Sequence, residues 1–165
     1  MRKRSSMRVI SLSLVVASLA LGSSDRAAAE VDFGVRGGVY DDAEAAFIGA
    51  EVLMDITGRW FFNPNLEYVF VDDGSLWTLN ADAHYDFPSR DGVALWAGGG
   101  PAVIFRETDP PRGCRRCEGD DETDIGLNLL GGIGLVRGGV RPYLQGKVLL
   151  SDDTEAVLAV GLRFD

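Results

Sequence analysis

The sequence predicts an all-β protein, an eight-stranded antiparallel up-and-down transmembrane β-barrel, and three observations predict it. Beyond position 30, apolar residues recur with period two, the period of a strand rather than a helix. The face opposite them combines charge with glycine, which suits a narrow lumen better than a solvated surface, where glycine weakens a strand. The runs so defined reach the ~9–11 residues that a tilted membrane-crossing strand requires, and aromatic residues collect near their ends.

The segment before the first run has a different character. Arg2, Lys3, Arg4 and Arg8 precede the apolar stretch Val9–Gly22, and Ala27-Ala28-Ala29 follows. A basic head, an apolar centre and a small-residue site read as a secretory signal over 1–29, leaving 30–165 as the barrel domain. The alternative is a membrane anchor, for which the apolar stretch falls short of the ~20 residues a spanning helix needs. Cleavage after Ala29 leaves 136 residues with 11 basic and 24 acidic side chains, a net charge of −13 against −9 for the whole chain. Such an acidic chain is a poor ligand for nucleic acid.

Eight runs follow in order. The first, about 31–41, sets Val31, Phe33, Val35 and Val39 against Asp32, Gly34, Arg36 and Gly38. The second, 44–57, opposes Ile48, Ala50, Val52, Met54 and Ile56 to Gly49, Glu51 and Asp55. The third, 64–72, has Leu66, Tyr68 and Phe70 on one side and Glu67 on the other. In the fourth, 75–87, Trp77, Leu79, Ala81, Ala83, Tyr85 and Phe87 alternate with Asn80, Asp82, His84 and Asp86. The fifth, 93–106, alternates Leu95, Ala97, Val103 and Phe105 with Gly98 and Gly100. The sixth, 123–137, opposes Ile125, Leu127, Leu129, Ile133 and Leu135 to Gly126, Asn128, Gly132 and Gly134. The last two, 141–151 and 154–164, set Leu144, Val148, Leu150, Leu158, Val160, Leu162 and Phe164 against Gln145, Lys147, Gly161 and Arg163.

Periodicity alone leaves open which face points inward. A soluble lipocalin-like barrel or a sandwich buries the apolar face; a membrane barrel turns it to lipid. Glycine on the polar face and strand length favour the membrane barrel. So do two aromatic groups, Trp60, Phe61, Phe62, Tyr85, Phe87 and Phe164 at one end and Phe70, Trp77 and Phe105 at the other, which read as interfacial girdles. Eight strands use about 80 residues and leave enough for seven connections. Closure also removes the sheet edges that lipid cannot satisfy.

The connections sort by charge. Those after runs one, three, five and seven contain Asp41-Asp42, Asp72-Asp73, Asp120-Asp121-Glu122 and Asp152-Asp153; those after runs two, four and six contain Arg59, Arg90, Arg137 and Arg141. The one long connection, Glu107–Glu122, belongs to the acidic set. Long loops face outward in small bacterial barrels, which places the acidic rim outside and both termini in the periplasm.

The segments Trp96-Ala97-Gly98-Gly99-Gly100, Asp124-Ile125-Gly126-Leu127-Asn128, Arg141-Pro142-Tyr143 and the ending Ala159-Val160-Gly161-Leu162-Arg163-Phe164 resemble the small outer-membrane β-barrels of Gram-negative bacteria, similar to outer membrane proteins A, X and W. The resemblance implies a monomer in the outer membrane, surrounded by lipid and lipopolysaccharide. It also implies a closing strand read by the barrel-assembly machinery. That family usually ends on the aromatic residue; here Asp165 follows Phe164.

Four constellations are candidate sites. Arg36, Lys147 and Arg163 share the lumen face with Glu51, Asp55, Glu67 and Asp82, and buried ions must be paired, so an ion-pair network is expected to plug the centre. Cys114-Arg115-Arg116-Cys117 lies in the long loop after Pro110 and Pro111. Redox catalysis, metal binding and a local disulfide are all open to a C-x-x-C, with the disulfide the default in an exported protein. The paired aspartates lack the spaced oxygen ligands of a dedicated calcium loop and read as a solvated acidic surface. His84, the only histidine, has neither a nucleophile nor the outer aspartates beside it, so no catalytic residue is assigned, and no cofactor or metal is implied.

The function expected is therefore non-enzymatic: an outer-membrane barrel with a structural or surface-interaction role and a lumen plugged by charged side chains. A narrow porin-like channel or conduit for ions or small hydrophobic molecules is the alternative. A soluble periplasmic ligand-binding barrel is the second.

Overall fold

The computed structural model describes residues 31–41, 44–72, 74–88, 91–108, 120–136 and 138–165. The expected signal segment and the Cys114 and Cys117 pair lie outside these residues. Eight strands succeed one another: β1 (Val31–Tyr40), β2 (Ala45–Thr57), β3 (Trp60–Val69), β4 (Gly74–Asp86), β5 (Val93–Thr108), β6 (Asp120–Leu135), β7 (Val140–Leu150) and β8 (Glu155–Phe164). Each pairs antiparallel with its sequence neighbours, and β8 returns to β1 to close the barrel. Closure leaves most backbone groups paired within the wall, as a hydrocarbon surrounding demands.

The apolar face points outward. Phe33 is 63% exposed, Ile125 78% and Val160 59%, whereas Arg36, Glu51, Glu67, Asp82 and Lys147 are buried. A soluble barrel would invert this arrangement, so the second alternative reading falls and the fold is that of a transmembrane barrel. Aromatic contacts follow the ends of β3–β5: Tyr68 packs on Phe70 and Trp77, whose register partner on β5 is Phe105. At the opposite end Trp60 packs on Tyr85, and Tyr85 on Phe87. Phe61 departs from the girdle expected of it, because its parity turns it into the lumen, where it stacks on His84 at 5.7 Å.

Strand bounds differ from the sequence reading in two places. β3 begins at Trp60, four residues before the expected start at Pro64. Pro64 has no N–H to give the ladder, and Val52, which faces it across β2, accepts instead from the Asn63 side-chain amide at 2.9 Å. A side chain thus replaces the missing backbone donor and the strand runs through the proline. The β5–β6 hairpin is also longer than expected, pairing as far as Thr108 with Asp120. Asp120-Asp121-Glu122 therefore belongs to a strand, and Arg141, at the border of the sixth connection and the seventh run, lies in β7.

Candidate functional site

The interior is layered along the barrel axis. At the loop end Tyr40, Phe47, Val69, Leu76, Ile104 and Leu149 form a buried apolar layer. This layer adds to the charged centre that the sequence predicts: an eight-stranded lumen is filled by side chains, not water, so apolar groups are admissible there.

Below that layer lies a buried polar network centred on Glu67 of β3. Glu67 Oε2 accepts from Lys147 Nζ at 2.8 Å, from Thr78 Oγ1 at 3.1 Å and from the Tyr40 hydroxyl, while its Oε1 pairs with Arg36 at 3.2 Å. Arg36 reaches Glu51 as well, at 3.6 Å, and Arg163 Nε donates to Glu51 at 2.8 Å. From Thr78 the network continues through Asn80, whose amide donates to Thr78 at 3.1 Å and to Asn65 at 2.9 Å. Asp82 ends it, accepting from Asn65 at 3.0 Å and from Asn128 at 2.9 Å. Strands β1, β2, β3, β4, β6, β7 and β8 all contribute a polar side chain to this network, and β5 contributes glycines at the same level, Gly98 and Gly100.

Five of the seven expected network residues thus form one ion-paired chain: Arg36, Glu51, Glu67, Lys147 and Arg163. Asp82 is buried but held by amides rather than by a cation. Asp55 is only half-buried, beside an irregularity of the β2–β3 ladder between Asp55 and Thr57, and pairs with no cation among the described residues. Its parity is that of the lumen, but the ladder irregularity and its place near the strand end leave it at the mouth. Three cations, Arg36, Lys147 and Arg163, balance three carboxylates, Glu51, Glu67 and Asp82, so the buried centre is close to neutral. Neutrality matters because an uncompensated buried ion costs several kcal/mol.

At the end that carries the chain termini an aromatic layer follows. The Arg163 guanidinium lies 5.0 Å from the Trp96 ring centre and 4.5 Å from that of Tyr143, with the two rings edge to face at 5.8 Å. Trp96 Nε1 donates to Gln145 at 3.1 Å. The Trp96 ring fits because position 132 is glycine: a Cβ there would overlap the indole. Replacing Gly132 by leucine is expected to destabilise the barrel by about 1–3 kcal/mol or more through overpacking, read as a lower urea midpoint. At the mouth Arg141 bridges Asp32 of β1 and, at 2.7 Å, Asp165. Asp165, through Arg141, thereby links the ends of β7, β8 and β1.

Two small cavities among the described residues lie near the mouths, one of about 60 Å³ beside Phe61, Trp96 and Arg163 and one of about 20 Å³ beside Thr78, Arg106 and Glu155. These admit a few water molecules. A larger depression of about 540 Å³, lined by Val35, Ile48, Leu66, Tyr68 and Trp77, lies on the lipid side of the wall. His84 is buried against Phe61 and Trp96, 3.3 Å from Asp86. Among the described residues no group of three or more histidine, cysteine, aspartate or glutamate side chains is placed to hold a metal ion.

A closed eight-stranded barrel with a lipid-facing exterior, paired aromatic girdles and a polar centre defines a fold class: the small transmembrane β-barrels, a fold that solved outer-membrane barrels share. Within it, the chain is similar to the N-terminal β-barrel domain of OprF from Pseudomonas aeruginosa, with a TM-score of 0.68 and 14% identity over 81% of this chain and 95% of that one. It is similar also to Neisserial surface protein A (TM-score 0.61, 16% identity, 81% and 93% covered) and to the outer membrane enzyme PagL (TM-score 0.54, 10% identity, 81% and 99% covered). No family model and no curated protein matches the sequence. Identities this low establish the fold, and since one of these neighbours is an enzyme, the fold alone does not decide catalysis.

Proposed function

We propose that this chain is a non-enzymatic outer-membrane barrel with a structural or surface-interaction role, its lumen closed by its own side chains. The observation that carries the reading is the continuity of the polar network from Arg163 to Asp82, capped by an apolar layer at one end and an aromatic layer at the other. An ion crossing it would have to break several buried charge-assisted bonds in turn. Against catalysis, His84 sits beneath Trp96 at the end that carries the termini, with no hydroxyl or thiol nucleophile bonded to it among the described residues and far along the barrel from the loop-end carboxylates. The large apolar depression opens to lipid and not to the lumen, which gives a hydrophobic conduit no support. Conductance of the purified protein in planar bilayers tests the reading: a closed baseline is expected, and a steady large conductance would make the chain a channel.

A further inference from the structure

The β5–β6 hairpin stands apart from the rest of the wall. β6 pairs with β5 from Asp120 onward, yet its pairing with β7 starts only at Leu127, opposite Leu150. Among the described residues, no strand pairs with the other edge of β6 from Asp120 to Ile125. Thr123 is the register partner of Phe105, which is paired with Trp77 in the outer girdle, so Asp120–Glu122 lie on the water side of that girdle. A free edge offers a row of backbone donors and acceptors to another extended chain.

The side chains along this edge select the partner. Asp121, Glu122, Thr123 and Ile125 are exposed, Ile125 at 78%. Asp152 and Asp153 of the adjoining β7–β8 connection are exposed too, and Asp124 and Asp153 line the same small cavity. A second copy of this edge would set carboxylates against carboxylates, which is unfavourable across a ladder. A segment bearing lysine or arginine at alternate positions meets the opposite charge, with an apolar side chain to cover Ile125.

We propose that the free edge of β6, Asp120–Ile125, docks an extended basic segment of another protein by strand addition. The inference rests on the surface-interaction reading above and specifies its partner. It predicts that a synthetic peptide alternating lysine with valine binds saturably to the full barrel in nanodiscs. Bound peptide slows hydrogen exchange of amides within Asp121–Ile125 at least tenfold. The variant Glu122→Lys, at an exposed position on the face that the peptide's lysines meet while its valines cover Ile125, leaves the lumen untouched, loses that peptide and binds its glutamate counterpart. Binding without protection of these amides, or indifference to the charge reversal, overturns strand addition and leaves the edge carboxylates as a guard against aggregation. Peptide protection at other outer-surface amides overturns the site but keeps the surface-interaction reading. No saturable binding of basic, acidic or neutral extended peptides overturns both.

Discussion

Replacing Glu67 with alanine lowers the stability of the folded barrel by about 3–5 kcal/mol, the range for removing one member of a buried ion cluster. Glu67 is fully buried and serves Lys147, Arg36, Thr78 and Tyr40 together. Without it Lys147 loses its only ion-pair partner among the described residues, and Arg36 keeps only the longer contact to Glu51. Glu67→Gln preserves volume and hydrogen bonding but not charge, and is expected to fall between alanine and the unaltered protein. Urea unfolding in lipid vesicles, followed by tryptophan fluorescence, measures the difference. A loss below about 1 kcal/mol, the scale of a single neutral hydrogen bond, would mean that the cluster is not what holds the centre.

Trp96→Ala is the other large effect, again about 3–5 kcal/mol, by the cavity left when a buried aromatic side chain is removed. The ring is 3% exposed and lies against His84, Tyr143 and Arg163. Its loss also leaves the Gln145 carbonyl without its donor. Trp96→Phe, which keeps much of the packing and forfeits the hydrogen bond, is expected to cost about 1 kcal/mol. Equal losses in the two variants would show that the bond, not the packing, carries the effect.

The period-two pattern made the strands and their two faces legible because one face had to be apolar for lipid, without interruption by charge. Glu51, Glu67, Lys147 and Arg163 could be set on the lumen face for that reason alone. Polarity sorting hides what is apolar yet inward. Phe61, Trp96 and Tyr143 have lumen parity, Trp96 between the outward Leu95 and Ala97 and Tyr143 between Pro142 and Leu144. Aromatic character drew Phe61 into the girdle, and Trp96 and Tyr143 went unassigned. Tyr40 and Phe47 were missed in the same way. Asn63 was lost because Pro64 read as a strand start, and its role in replacing the proline's missing donor needs the three-dimensional register. Asn65 and Thr78 share the parity of Glu67 and Asn80, a signal that could have found them. The choice between ion pairing and amide bonding for Asp82 depends on distances across the lumen, which one strand's sequence does not encode.

The closed lumen is the central claim, and single-channel recording tests it most directly. The refolded barrel in planar bilayers is expected to hold a flat baseline, because an ion entering the lumen meets the buried Arg163–Glu51–Arg36–Glu67–Lys147 chain and would have to break its charge-assisted bonds to pass. Steady, reproducible conductance steps from the unaltered protein would contradict the account.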